Sequence, residues 1–85
     1  MPDYRIVLSK QAQKTLDKFS DIIAEPIFNA IADLAKNPRP KGVKKLKARD
    51  GYRIRVGNYR VIYDIYDAEL VIDIITLGHR KDIYD

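Results

Sequence analysis

Tyr52-Arg53-Ile54-Arg55-Val56-Gly57-Asn58-Tyr59-Arg60-Val61-Ile62-Tyr63 alternates apolar and polar residues through most of its length on either side of a Gly-Asn pair. Alternation at a period of two marks a half-buried strand. Gly-Asn between two such runs marks a two-residue hairpin turn. With Gly57 and Asn58 as the turn, Val56 faces Tyr59, Arg55 faces Arg60 and Ile54 faces Val61. Directly opposed residues share a face of the sheet. Tyr52, Ile54, Val56, Tyr59, Val61, Tyr63 and Ile65 therefore form one apolar face, and Arg53, Arg55 and Arg60 gather on the other.

The pattern extends outward from this hairpin. Alternation continues to Tyr66, Asp67-Ala68 turns the chain, and a third strand runs from Glu69 to Leu77 until Gly78 breaks it. On the N-terminal side, Lys45-Leu46-Lys47 reads as a short basic strand or a loop. Asn37-Pro38-Arg39-Pro40 stops a helical segment in which Ile23, Ile27, Ala30, Ile31 and Leu34 recur on one face. Proline is tolerated only in a first turn, so Pro26 places the start of the regular helix near Ala24, after a looser turn from Asp21. Ala12, Leu16 and Phe19 mark an earlier helix running to Ser20, with Ser9 as its cap. Tyr4 to Leu8 is a short β-type run. The expected fold is α+β in the order β-α-α-β-β-β: an N-terminal strand, an antiparallel two-helix hairpin, and a mostly antiparallel sheet of three to four strands.

Eighty-five residues support one modest core, so residues 1–85 are read as a single domain and a multi-domain enzyme is excluded. The chain has no cysteine and one histidine, which excludes a disulfide framework, a Cys-ligated metal or cluster, and a multi-His metal site. No cofactor is expected. No apolar run approaches the ~18 residues of a membrane span, and the N-terminus has no apolar signal region, so a cytoplasmic location is expected.

Charge is distributed unevenly. Between Lys36 and Arg60 lie ten Lys/Arg and one acid, Asp50, whereas the other sixty residues hold six basic and eleven acidic side chains. Basic runs are commonly no more than solvated surface. Concentration of self-repelling charge in one stretch points instead to a polyanion partner. Within it, Lys41, Lys44, Lys45, Lys47 and Arg49 are candidate contacts for such a polyanion, RNA among them. Arg55 opposite Arg60 is unfavourable for folding alone. Splayed arginine stems can cover an apolar neighbour such as Ile62. The planar, permanently charged guanidinium also matches phosphate oxygens, and an anion site is the functional reading. The third strand returns Gly78-His79-Arg80 to the end where Arg60 begins, so Arg80 adds a fourth guanidinium. Tyr84 can stack on a base or share a proton, and His79 is the one group in the chain suited to acid–base work near neutral pH. No nucleophile set, phosphate-binding glycine loop or calcium loop is present. Asp64 and Asp73 are expected beside Arg60 or Ile62 and make a poor carboxylate pair for glycoside chemistry on so basic a face.

Asn37-Pro38-Arg39-Pro40, Lys45-Leu46, the stretch Asp50 to Tyr63 and the closing Gly78-His79-Arg80-Lys81-Asp82-Ile83-Tyr84 together resemble the RelE/ParE superfamily of toxins from bacterial and archaeal toxin–antitoxin systems. The resemblance spans nearly the whole chain. It implies a RelE-like, metal-independent endoribonuclease that enters the ribosomal A site and cuts mRNA. The 2′-hydroxyl would attack the adjacent phosphate, halting translation. It also implies a cognate antitoxin that wraps the toxin in a heteromeric complex. By resemblance, Arg53 and Arg55 fall on two basic positions, commonly lysines in the family. Arg60 and Arg80 fall on arginines that contact the scissile phosphate, and Tyr84 on the C-terminal tyrosine linked to catalysis. Arginine does not give up its proton, so Arg53 is a poor general base and Tyr84 or His79 would take that part. The tail after Gly78 is short beside the C-terminal helix of some members, leaving that place to the antitoxin. The alternative readings are a ParE-like toxin that inhibits DNA gyrase and cuts nothing, and a catalytically inactive RNA-binding relative.

Binding of the protein to ribosomal RNA is expected to weaken with salt, by a log–log slope of roughly −0.7 per phosphate contact on single strands. A salt titration of the affinity measures this, and a flat response would remove the Lys36–Arg60 stretch as the contact surface.

Overall fold

The computed structural model describes residues 3–83. Seven elements follow in the order β1 (Arg5–Leu8), α1 (Lys10–Lys18), α2 (Asp21–Leu34), β2 (Lys44–Lys45), β3 (Tyr52–Val56), β4 (Tyr59–Tyr66) and β5 (Val71–His79). The strands form one five-stranded sheet in the order β1-β5-β4-β3-β2. Three of its junctions are antiparallel, and β1 lies parallel to β5. The expected α+β order is present. The sheet has five strands because Lys44–Lys45 pairs along β3 and the N-terminal strand joins the C-terminal one, a pairing across the whole chain that no local pattern records.

The β3–β4 register is the one that the Gly-Asn turn dictates: Val56 opposite Tyr59, Arg55 opposite Arg60, Ile54 opposite Val61. Gly57 has φ 60, a left-handed value that a residue without Cβ reaches at little cost. Ile54, Val61 and Tyr63 join Ile72, Ile74 and Leu77 on one face of the sheet. Against them pack Ala12 and Leu16 of α1 and Ile27, Ile31 and Leu34 of α2. Both helices thus cover the same face.

Ser9 does more than cap α1. Its Oγ accepts from the Ala12 amide at 3.0 Å and donates to the Ile75 carbonyl at 2.6 Å. Ile75 is the extra residue where the β4–β5 register shifts between Ile62 and Tyr63. A bulge leaves backbone groups out of the ladder, and the cap of α1 takes up one of them.

Four local expectations are corrected. The second helix begins at Asp21, with the amides of Ile23 and Ala24 both donating to the Ser20 carbonyl, and it continues through Pro26. The bond that Pro26 cannot make would reach the carbonyl of Ile22, a residue 87% exposed, where water can replace it. The first helix ends at Lys18 rather than Ser20. The last strand starts at Val71, because Asp67–Leu70 forms the turn with Leu70 at φ 55. Gly78 lies inside that strand, opposite Arg60, and does not break it.

Arg39 also departs from its expected place in a free basic patch. Its guanidinium pairs with Asp67 at 3.0 Å and lies 5.3 Å from the centre of the Tyr52 ring. The Tyr4 hydroxyl donates to the same carboxylate at 2.6 Å. Next door, the buried Tyr63 hydroxyl donates to the Pro38 carbonyl at 2.7 Å, and burial pushes that phenol well above its usual range. The Pro-Arg-Pro segment is therefore fastened to the end of the sheet.

Asp64 and Asp73 stand directly opposite each other, rather than beside Arg60 or Ile62. Burial, with the Asp73 charge next in weight, raises the Asp64 carboxyl above its usual range, partly offset by Arg49. A carboxyl raised in the folded state binds more protons there than in the unfolded chain, so stability falls as pH rises from the ordinary carboxylate value through the raised one. Asp73→Asn should flatten this decline and stabilise the neutral-pH protein by roughly 0.2–1 kcal/mol, the range for relieving opposed like charges. Urea melts at pH 4 to 7 measure both effects, and a variant less stable than the parent at pH 7 would contradict the repulsion.

Candidate nucleic-acid interface

The face of the sheet opposite the helices carries the basic residues in two ladder rows. Lys44, Arg53, Ile62 and Thr76 form one row across β2, β3, β4 and β5. Arg55, Arg60 and Gly78 form the next. Side chains two apart on a strand share a face, so Arg53 and Arg55 stand over the same side as Arg60 and Lys44.

Their environments differ. Arg55 is exposed and Arg60 half-buried, whereas Arg53 is 7% exposed. Of the three arginines gathered on this face, Arg53 is the buried one. β3 is an interior strand with β2 outside it, and Arg53 lies opposite Ile62, which is fully buried although no helix covers this face. A guanidinium stem that covers an apolar neighbour becomes buried itself. The packing reading thus applies to Arg53, while Arg55 stands exposed two residues along the same strand face.

The C-terminal tail reaches the same rows. The Arg60 Nη1 donates to the Ile83 carbonyl at 3.0 Å. The close passage uses Gly78: a Cβ there would meet the Ile83 side chain at 3.1 and 3.2 Å. Arg80 is exposed, and its amide donates to the Asn58 carbonyl of the β3–β4 turn at 2.8 Å. The tail thus sets Arg80 beside the turn that joins Arg55 to Arg60. Tyr84 lies outside the described residues.

His79 is not brought to this face. It opposes Tyr59, whose ring packs on the helix side, and the two rings meet edge-on at 5.5 Å. It directly follows Gly78 in the strand, and that single step turns it to the opposite side. Lys41, Lys44, Lys45, Lys47 and Arg49 are all exposed. Of these, Lys44 shares the arginine face, Lys45 shares a face with Tyr52, and Arg49 acts on the acidic end at Asp64. Gly78 and the Ile83 carbonyl are site elements that the sequence reading passed over. The signal was the glycine itself, placed opposite a strand arginine where a side chain would obstruct the returning tail. Among the described residues no group of three or more His, Asp or Glu is placed to hold a metal ion, and no helix is long and apolar enough to cross a membrane.

Residues 6–84 match the family described as ParE toxin of type II toxin–antitoxin system, parDE. The chain belongs to this family of toxins, within the RelE/ParE superfamily. It is 30% identical to toxin RelG of Mycobacterium tuberculosis over 83 residues, covering 95% of each chain. It is 24% identical over 80 residues to the mRNA interferase toxin RelE of Escherichia coli K12, covering 92% of this chain and 84% of that one. The fold matches the archaeal RelE of the RelE–RelB complex from Pyrococcus horikoshii with a TM-score of 0.82 and 31% identity, over 95% of this chain and 99% of the other.

Replacing Gly78 by valine is expected to lift the tail without unfolding the sheet. Hydrogen exchange should quicken at the Asp82 and Ile83 amides, while the central β4–β5 amides stay protected. Unchanged protection at Ile83 would mean that the passage over Gly78 does not hold the tail.

Proposed function

We propose that this toxin is a ribosome-dependent endoribonuclease that cuts mRNA in the A site and is held inactive by a cognate RelB-type antitoxin. The observation that carries the reading is the pairing of Arg55 with Arg60 on the helix-free face, with Arg80 beside their turn. Opposed like charges weaken a hairpin, and their retention makes sense where an anion sits between them. Relatives named mRNA interferases and solved RelE chains in RelB complexes support the substrate and the partner.

The chemistry follows from charge. When a ribose 2′-hydroxyl attacks the adjacent phosphate, negative charge builds on the nonbridging oxygens of the five-coordinate transition state. The bond to the 5′-oxygen breaks, that oxygen takes up a proton from solvent to become a 5′-hydroxyl, and a 2′,3′-cyclic phosphate remains. Guanidiniums fixed before the reaction stabilise that charge more than the ground state. Arg60 is fixed through the Ile83 carbonyl, Arg55 is free to close on the phosphate, and Arg80 approaches from the tail. Arg53 is buried within the sheet opposite Ile62. Arginine does not act as a base at neutral pH, so Tyr84 is the group assigned to the proton of the attacking hydroxyl. The ribosome would supply the orientation of the RNA that so small a site lacks.

The match to ParE toxins favours a second reading, in which the protein binds DNA gyrase and cuts nothing. Two measurements separate them. In the first reading, programmed ribosomes yield mRNA cut at the A-site codon, and a message with one 2′-deoxy nucleotide 5′ of the cut resists cleavage. Equal cutting of both messages would remove the 2′-hydroxyl as nucleophile. Intact mRNA with inhibited DNA supercoiling would establish the second reading. Arg60→Ala and Arg80→Ala should each slow cleavage by about 2.7–4 kcal/mol of barrier, the usual cost of deleting one preorganised donor. A folded variant that cuts at the parent rate would remove its arginine from the site.

A further inference from the structure

His79 faces away from the arginines, yet the tail that serves them is built around it. Of the four backbone amides that follow, Arg80 donates to Asn58, and the other three converge on His79. Lys81 donates to the ring Nδ1 at 3.2 Å, Asp82 to the His79 carbonyl at 2.8 Å, and Ile83 to the same carbonyl at 3.2 Å. Backbone donors in a tight turn need acceptors, and here one residue takes three of them on two atoms, its ring Nδ1 and its carbonyl. The ring is itself positioned. It meets Tyr59 edge-on at 5.5 Å with the planes at 76°, and Tyr59 in turn packs on Phe19 at 5.2 Å. The next link is the Ile83 carbonyl, which receives Arg60 Nη1 at 3.0 Å.

We infer that His79 is a positioning residue that sets the C-terminal tail through its unprotonated Nδ1, and through the tail sets Arg60 and Arg80. The acceptor at Nδ1 requires that the neutral ring carry its proton on Nε2. Protonation of Nδ1 would replace the acceptor with a donor facing the Lys81 amide, and the turn would lose one of its three ties to His79. This assignment rests on the nuclease reading for its effect on cleavage, but not for the state of the ring.

The chain has one histidine, so its imidazole nitrogens are identified without ambiguity. A long-range nitrogen–proton correlation spectrum of the toxin labelled with 15N-histidine reads the tautomer directly. The expected result is an unprotonated Nδ1 and a protonated Nε2 in the neutral ring, and the reverse tautomer would overturn the inference whether or not the protein cuts RNA. Two variants then separate acceptor from ring. His79→Phe keeps an aromatic edge against Tyr59 and removes the acceptor, and should slow single-turnover cleavage on programmed ribosomes roughly 10- to 100-fold through misplacement of the arginines. His79→Asn restores an acceptor two residues before the Lys81 amide, the geometry of an Asx-turn, and should cleave within about threefold of the parent. Full activity of His79→Phe, or a His79→Asn variant as slow as His79→Phe, would overturn the positioning role. If the parent itself cuts nothing, the nuclease reading fails while the tautomer still tests the turn.

Discussion

A two-residue turn at Gly57-Asn58 decides which side chains meet across the centre of this protein. Its length sets the β3–β4 register, and the register sets the faces. A slip of one residue would send Ile54, Val61 and Tyr63 into solvent and the arginines under the helices. Burial of the apolar set beneath α1 and α2 excludes that slip. The same constraint forces Arg55 against Arg60. The hydrophobic core and the arginine cluster are therefore not independent features here. Alternation that serves the core on one face delivers the cations on the other.

The charged face is organised from one end to the other. Arg55 and Arg60 lie next to the turn, and Asp64 and Asp73 lie opposed several residues further along β4 and β5. Between them sits a row of Arg53, Ile62 and Thr76, with Arg53 and Ile62 buried. This polarity leaves the turn end of the face positive and the far end acidic. The chain's excess of positive charge is thus less important than its placement. Arg39, which counts in the basic stretch, is spent on Asp67 and the Tyr52 ring and holds the loop after α2 to the sheet.

The tail joins fold and site. A backbone turn centred on His79 carries Ile83 over Gly78, and the absence of a side chain at Gly78 lets a carbonyl come within bonding distance of Arg60. A half-buried guanidinium held by a carbonyl loses conformational freedom, the preorganisation that the proposed cleavage would call for. The opposite helix face contributes through Phe19 and Tyr59, which fix the imidazole.

Much of this was legible in the residues. Alternation around Gly57-Asn58 determined the hairpin, its register and the membership of both faces, because period-two patterning and turn chemistry act over a few neighbours. The Ser9 cap and the apolar spacing of both helices were legible for the same reason. Pro26 misled: the rule against proline inside helices weighs a lost bond, and the partner residue, Ile22, lies at an exposed position where water can take that bond's place. Gly78 misled more, since a strand glycine and a strand breaker look alike until the tail is seen above it. The sequence by itself determined the two-helix α+β order, the central hairpin and the opposition of Arg55 and Arg60. Only the tertiary structure decided that β1 pairs with β5, that Arg53 is buried, that Asp64 meets Asp73, and that His79 turns away from the arginines while holding their tail. Those outcomes depend on contacts between segments far apart in the chain and on a bulge at Ile75, and neither leaves a periodic trace in the local pattern.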